Sequence, residues 1–571
     1  MLAYGFITLL SLGSEYYFKY EIDAQTGFQI YWITIPEGLD KERYSKQTIS
    51  EFLAESSVAQ IIKPGAPLDN SIYQASLILP GLPASPFDAF YNIELTYDSD
   101  SFTLGVQSTD SFGFSPEGST HFKDLNLSFT QQLNSQTATV SGTVTAVFSG
   151  QDIVLEAGVS DGSELIFNYN PNNPQEIPIQ PWGNLELTTF TVKPGPNPPQ
   201  PQVLYWFGEK SGEWVYDCSL RNTEDAPAID LRIQTEPETV QWGLGSIAVK
   251  DGLIDSENAT LEAANLSSAS KLIKAFQETN EITIATWIKP SQTGQQYPAI
   301  VVTLSEDPEN PYVTLAQGDS EWLKGYGNRW SGDWYHHDEY SVLLRTNTND
   351  RNRYWQILTT SPDTVTTELT YVVYTFSQNN LGDESDNAKL YLNGKLDNSK
   401  WINSDNQERH FWRNRNQQSN RGRNRNQRGN RWQNRDDEDS PWKNRDDEED
   451  SPWKDRNDQE LNLWTNDPAV KLALANDVLF SDRRGNSRRN QDFPWEGELY
   501  EVAIYDSALT PEAIYQRYYP TIEILGNLTL TNMPSPLDQP LTAQLTLESM
   551  LDVEHYSESK LNLKVDTSEI R

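Results

Sequence analysis

Residues 282–290 read ITIATWIKP. Successive side chains of an extended strand point to opposite faces. Thr283, Ala285 and Trp287 therefore share one face, and Ile282, Ile284, Thr286 and Ile288 the other. A strand that is apolar on both faces belongs inside a two-layer sandwich. The neighbouring sequence repeats the signal. Residues 299–317 (AIVVTLSEDPENPYVTLAQ) give two apolar runs around an acidic, Pro-containing turn, and residues 340–346 (YSVLLRT) give another. Residues 369–376 (LTYVVYTF) and 388–395 (AKLYLNGK) follow, with Asn393-Gly394 as a type I′ hairpin signal. Residues 495–515 (WEGELYEVAIYDSALTPEAIY) predict a strand and then a short helix opened by Pro511 and Glu512, capped by Ser507 or Thr510.

Outward from this core, the chain of 571 residues predicts about two to four domains. Thr, Tyr, Trp and Val recur in short alternating runs between Gly, Pro, Asn and Asp, which predicts an all-β protein. Residues 192–202 (VKPGPNPPQPQ) form a stiff extended linker, because proline removes backbone donors and fixes φ. Residues 1–191 are then an N-terminal β domain, 192–203 the linker, 204–519 the central sandwich and 520–571 a β tail. In the first of these, Leu125, Leu127 and Phe129 alternate with polar residues. So do Val140, Gly142, Val144 and Ala146 beyond a polar break at 132–137, and then Ile153, Leu155, Ala157 and Val159. That rhythm predicts a sandwich-like domain with one buried face per strand. Residues 47–59 are the one helix expected there. Residues 84–97 (ASPFDAFYNIELTY) and 534–547 (PSPLDQPLTAQLTL) share a weak pattern, so the tail reads either as the start of a further β domain or as a chance likeness. A tail of strands must pack on the rest of the chain or pair with a partner, which makes self-association through it an expectation.

The formal net charge of −38 opposes any general affinity for nucleic acid or anionic membrane, which carry the same sign. Cys218 is the sole cysteine, so no intrachain disulfide staples the fold. Residues 1–12 (MLAYGFITLLSL) lack positive residues ahead of the apolar run and a small-residue cleavage site, and read as a first strand rather than a targeting segment. No apolar run reaches the roughly 18–20 residues of a membrane span. An extracellular or cell-surface location is expected, with a cytoplasmic assembly as the alternative.

Residues 205–219 (YWFGEKSGEWVYDCS) resemble the opening of laminin G-like domains, in which an aromatic strand leads to a Val-x-Asp-x-Ser turn. Residues 282–290, 299–317, 340–346, 369–376, 388–395 and 495–515 are similar, in the same order, to later strands of that family. The resemblance covers about 300 residues. It implies a concanavalin A-type β-sandwich, a binding role at one rim rather than catalysis, and calcium held near a rim by carboxylates. One departure stands out. Residues 403–460 replace a short connection with an Arg/Asn/Gln-rich stretch and then two acidic copies, NRDDEDSPWK (434–443) and NRDDEEDSPWK (444–454). Such a segment cannot build an apolar core, so disorder is expected. Its arginines, with Trp412 and Trp432, suit nucleic acid or an anionic glycan. The adjacent acidic block competes for the same arginines, and a solvated loop is the plainer reading.

The leading ligand candidate is the loop 322–340 (WLKGYGNRWSGDWYHHDEY). Trp322, Tyr326, Trp330, Trp334 and Tyr335 could stack on sugar rings while Asn328, Arg329 and Asp333 meet hydroxyls. The alternative is a loop clamped by these aromatics onto its own sandwich. His336 and His337 are adjacent and would face opposite ways in a strand, so with Asp338 and Glu339 they make a poor metal set. Asp383, Glu384 and Asp386 are the calcium candidates that the resemblance implies; no other cofactor is expected. A retaining glycoside hydrolase would need carboxylates at alternate positions of one strand. Glu496 and Glu498 satisfy this, but Tyr500 stands where the next acid is required, and Glu501 is expected to point the other way. The sequence thus predicts a non-catalytic module for a glycan or protein ligand, with a structural part of a larger assembly as the second reading.

Overall fold

The computed structural model describes residues 2–11, 14–35, 43–55, 72–75, 92–98, 100–108, 120–148, 151–160, 164–169, 176–179, 183–193, 199–209, 212–223, 226–233, 239–243, 245–250, 254–255, 269–295, 299–305, 311–318, 338–345, 355–378, 387–397, 400–402, 470–476, 494–518, 521–530, 542–548 and 562–564. Among them the chain is all-β: antiparallel strands with three short helices.

The first domain has two sheets. One contains β1 (Ala3–Ser11), β2 (Ser14–Asp23), β3 (Gly27–Trp32), β4 (Lys46–Thr48) and β5 (Ile72–Ala75) in the order β4-β3-β2-β1-β5. Helix α1 (Ile49–Ala54) follows β4. It is shorter than the 47–59 expected, and starts where Thr48 and Glu51 form a reciprocal capping box. The other sheet is built from β6 (Asn92–Tyr97), β7 (Ser101–Ser108), β8 (Thr120–Gln132), β9 (Ala138–Phe148), β10 (Gln151–Val159), β11 (Leu165–Tyr169), β12 (Glu176–Ile179) and β13 (Gly183–Lys193). Alternation on β8, β9 and β10 sends Leu125, Leu127, Phe129, Val144, Ala146, Ile153 and Leu155 inward, where they meet Phe18, Tyr20, Phe28, Trp32 and Phe52 from the first sheet and α1. Gly142 sits at φ +127, and a Cβ there would lie 2.0 Å from the Asn126 carbonyl oxygen, so glycine is required on β9 beside the extra residue of β8.

The central domain contributes β14 (Val203–Tyr205), β15 (Trp214–Val215), β16 (Leu231–Ile233), β17 (Val240–Trp242), β18 (Ile247–Val249), β19 (Ile254–Asp255), α2 (Ser270–Thr279) and β20 (Glu281–Pro290). It continues with β21 (Ala299–Ser305), β22 (Pro311–Gln317), β23 (Tyr340–Arg345), β24 (Trp355–Thr359), β25 (Thr370–Ser377), β26 (Ala388–Leu392), β27 (Lys395–Leu396), β28 (Lys400–Ile402), β29 (Lys471–Leu474), β30 (Gly497–Tyr505) and α3 (Pro511–Tyr518). One sheet runs β17-β18-β30-β20-β25-β26-β27, with β14 also paired to β30; the other runs β15-β16-β19-β29-β21-β22-β23-β24-β28. Ile282, Ile284, Ile288, Val372, Tyr374, Val502 and Ile504 of the former pack against Val302, Leu304, Val313, Leu315, Val342 and Leu344 of the latter. This is a β-sandwich-like core, and each such large aliphatic side chain contributes about 1.5–3 kcal/mol on burial. Asn393 (φ +51) and Gly394 (φ +80) make the left-handed turn between β26 and β27. The hydroxyl of Thr510, not that of Ser507, accepts the Ala513 N–H at 3.2 Å and caps α3.

The second apolar face of β20 has a cover that the local sequence could not reveal. Ala285 and Trp287, with Tyr371, Val373, Ala503 and Tyr505, pack against Phe6, Tyr17 and Ile33 of the first domain and against Leu509 and Ile514 at α3. The sheet is therefore the middle of three layers. The tail adds β31 (Thr521–Leu530), β32 (Thr542–Glu548) and β33 (Asn562–Lys564) to the first domain: β31 pairs with β13, and β33 ends that sheet at the far side from β6. The central domain is thus inserted between two neighbouring strands of the first.

Candidate functional site

The candidate loop is held at one rim of the sandwich. Gln317, the last residue of β22, is the Cα partner of Tyr340, the first of β23, and the Gly318 N–H donates to the Glu339 carbonyl at 2.8 Å. Residue 338 is fixed as well, because its carbonyl accepts from the N–H groups of Thr364 and Val365, each at 2.9 Å. The loop members Trp322, Tyr326, Asn328, Arg329, Trp330, Asp333, Trp334 and Tyr335, and also His336 and His337, lie outside the described residues. The rim at the described ends of the loop carries a buried amide cluster. The Gln317 Oε1 accepts from the indole N–H of Trp495 (2.9 Å) and from Gln295 Nε2 (3.1 Å), while Gln317 Nε2 donates to the carbonyls of Gln292 and Thr293. Gln295 Nε2 also donates to the Glu496 carbonyl (2.6 Å), and its Oε1 accepts the Glu496 N–H (2.8 Å). Both sheets are stitched together here by groups that burial obliges to find partners.

Strand register fixes what lies at each end. Pro290 pairs with Gly497, Ala299 with Gln317 and Ser341 with Thr359, so these residues mark the rim under the loop. The opposite end is marked by Glu281 with Ser377, Phe376 with Ala388, and Ser305 with Lys471. The segment 379–386, with the calcium candidates Asp383, Glu384 and Asp386, springs from that opposite end and lies outside the described residues, as does the insertion 403–460. Val203 pairs with Ile504 and Thr283 with Tyr505, so the connections to the first domain also join there. The described ends of the aromatic loop are therefore at the end of the sandwich away from its tether, and the two candidate segments leave the described strands at opposite ends. Among the described residues no group of three or more His, Cys, Asp or Glu side chains could hold a metal ion.

The carboxylates of the closing strand differ from expectation. A register shift opposite Trp287 and Ile288 pairs Ile288 with Leu499 and Trp287 with Glu501, leaving Tyr500 as the extra residue. Leu499 and Val502 both face the core, so Glu501 shares the outward face with Glu498 instead of pointing the other way. Glu501 is buried there, and the Tyr500 hydroxyl donates to Glu498 Oε2 at 2.7 Å.

A buried polar centre between the domains was not foreseen in full. Asp217, of the Val-x-Asp-x-Ser turn, accepts from the N–H groups of Leu204 (3.1 Å), Ser219 (3.0 Å) and Ile229 (3.2 Å) and from Lys271 Nζ (2.7 Å). Lys271 comes from α2 and also donates to Asn222 Oδ1. Spacing of Leu272, Ile273 and Phe276 was the available signal for that helix. From the first domain, Arg43 forms a bidentate pair with Asp230 (2.6 and 3.1 Å), donates to the Ile33 carbonyl (2.7 Å) and lies over Tyr44 and Tyr216. The Tyr44 hydroxyl donates to the Asp217 carbonyl, and the Cys218 thiol to the Tyr17 hydroxyl at 3.6 Å. Glu209 is 4% exposed; burial pushes its carboxyl up to about 8, despite the Tyr216 N–H donated to Oε1, and Oε2 has no hydrogen-bond partner among the described residues. Burial likewise raises the Cys218 thiol and the Tyr17 hydroxyl well above their ordinary values. These groups link the two domains.

Neither a known protein family nor a curated protein sequence matches the chain. Solved structures with some likeness include a Trypanosoma rangeli sialidase in complex with sialic acid, 8% identical with a TM-score of 0.28 over 90% of this chain and 83% of that one. The same organism's sialidase in complex with 2,3-difluorosialic acid is 7% identical, with a TM-score of 0.29 over 90% and 92%. A likeness at this level carries no argument about what the chain does.

Proposed function

We propose that the chain is a non-catalytic binding protein whose central domain is a concanavalin A-type, laminin G-like sandwich, and that it recognises a glycan or protein ligand through the aromatic loop 322–335. The observation that carries this reading is that Gly318 and Glu339, the ends of the loop, are joined at the rim away from the tether, next to the amide cluster of Gln317. A rim so held leaves the strands rigid while the loop meets the ligand, the usual division of labour between scaffold and loop. A surface location of the protein goes with this reading.

A glycan and protein array tests it. The wild type is expected to bind, and Trp330→Ala/Trp334→Ala to lose that binding with unfolding temperature unchanged. Equal binding by the double variant rejects the loop. The second reading, a component of a larger assembly, is favoured by β33, which among the described strands is the last of its sheet. It predicts no array binding by the wild type and an oligomer that grows with concentration in light scattering.

A further inference from the structure

Trp214 stands apart from the other tryptophans. The residue is 39% exposed, whereas Trp32, Trp206, Trp287 and Trp495 are at most 3% exposed. Among the residues whose burial is described it is the one aromatic residue in the exposed class. It lies on β15, the edge of its sheet, directly opposite Arg232 on β16. The next pair, Val215 and Leu231, is buried in the sandwich core, so alternation turns Trp214 and Arg232 outward together. The guanidinium carbon of Arg232 is 5.9 Å from the Trp214 ring centroid, and its Nη2 donates to Glu213 Oε2 at 3.1 Å. A second tryptophan fixes the backbone alongside. The Trp242 indole N–H, on the edge strand of the other sheet, donates to the Gly212 carbonyl at 3.2 Å, which ties the two sheet edges together. Gly212 has φ +93, and a Cβ there would meet nothing within 4 Å, so the space beside this turn is open.

We propose that Trp214, with the Arg232–Glu213 pair beside it, is a stacking subsite for a neutral pyranose of an oligosaccharide, on the side edge of the sandwich. An exposed indole offers a flat apolar face to the C–H face of a sugar. The adjacent guanidinium and carboxylate offer donors and acceptors to vicinal hydroxyls. The occupant is neutral on grounds of charge. A protein of net charge −38 repels a polyanion. The subsite does not depend on the function proposed for loop 322–335.

The experiment is isothermal titration of the full-length protein with oligosaccharides of glucose, mannose, galactose and xylose. The wild type is expected to bind at least one of them, Trp214→Ala and Arg232→Ala to bind it about tenfold more weakly or less, and Trp214→Tyr, which keeps a stackable ring, to retain binding. Thermal unfolding of each variant detects misfolding, and where Trp214→Ala unfolds, Arg232→Ala carries the test. Retention of binding by Trp330→Ala/Trp334→Ala with loss in Trp214→Ala supports this subsite and rejects the rim loop as the sugar site. Unchanged binding by Trp214→Ala and Arg232→Ala, or no binding of any of these sugars by the wild type, overturns the proposal.

Discussion

Lys193 and Thr521 are Cα partners at the ends of β13 and β31, so the chain leaves the first domain and returns to it at one point. The central sandwich hangs from that point, and its second apolar face rests on Phe6, Tyr17 and Ile33. Stability of the first domain accordingly depends on residues more than 300 positions away in sequence.

Truncation after Tyr518 removes β31–β33 and bares the β13 edge. The expected result is lower thermal stability of the first domain, with amide-exchange protection lost across β11 and β13 and kept in β20 and β25. Exchange loss centred on β20 would contradict the inserted arrangement.

Lys271 and Asp217 form an ion pair with side chains only 2% and 0% exposed. Lys271→Met leaves the Asp217 carboxylate buried without its counter-charge, at a cost of about 3–5 kcal/mol in denaturant unfolding. The double variant Asp217→Asn/Lys271→Met is expected to lose less than the sum of the two single changes, because neither partner is then left as an isolated charge.

Glu209 sets a pH dependence. Its folded value of about 8 lies above the ordinary 4.5, so the folded state holds the proton more tightly than the unfolded state. Its contribution to stability is greatest below the ordinary value, falls as pH rises through that window by at most about 1.4 kcal/mol per pH unit, and levels off above the folded value. Glu209→Gln should flatten this decline in unfolding curves taken from pH 5 to 9. A decline as steep as in the wild type would mean that other groups cause it.

Arg43→Lys keeps the charge but loses the bidentate pair to Asp230 and the stacking on Tyr44 and Tyr216. Calorimetry is expected to show the two domains melting further apart than in the wild type. A single transition with unchanged shape would show that Arg43 does not couple them.

Much of this fold was legible locally. The two-faced pattern of β20, the Asn393-Gly394 turn and the alternation around Leu127 and Ile153 each follow from contacts or backbone demands within a few residues. What covered the far face of β20 was not legible, because Phe6 and Trp287 meet only after the sheets have formed. The same holds for β31 beside β13, where an alternating strand carries no sign of its partner. At the closing strand the extra residue Tyr500 shifted Glu501 to the other face, a change that alternation alone could not anticipate. At the candidate site the sequence supplied the aromatic residues, and the structure supplied their anchors, Gly318 and Glu339, at the rim away from the tether.

Hydrogen–deuterium exchange of the full-length protein, with and without the ligand found on the array, tests the central claim most directly. Protection is predicted in 318–339 and in the amide cluster around Gln295 and Gln317, and is predicted to vanish with Trp330→Ala/Trp334→Ala. Protection confined to β31–β33, or none at the rim with ligand bound, would contradict it.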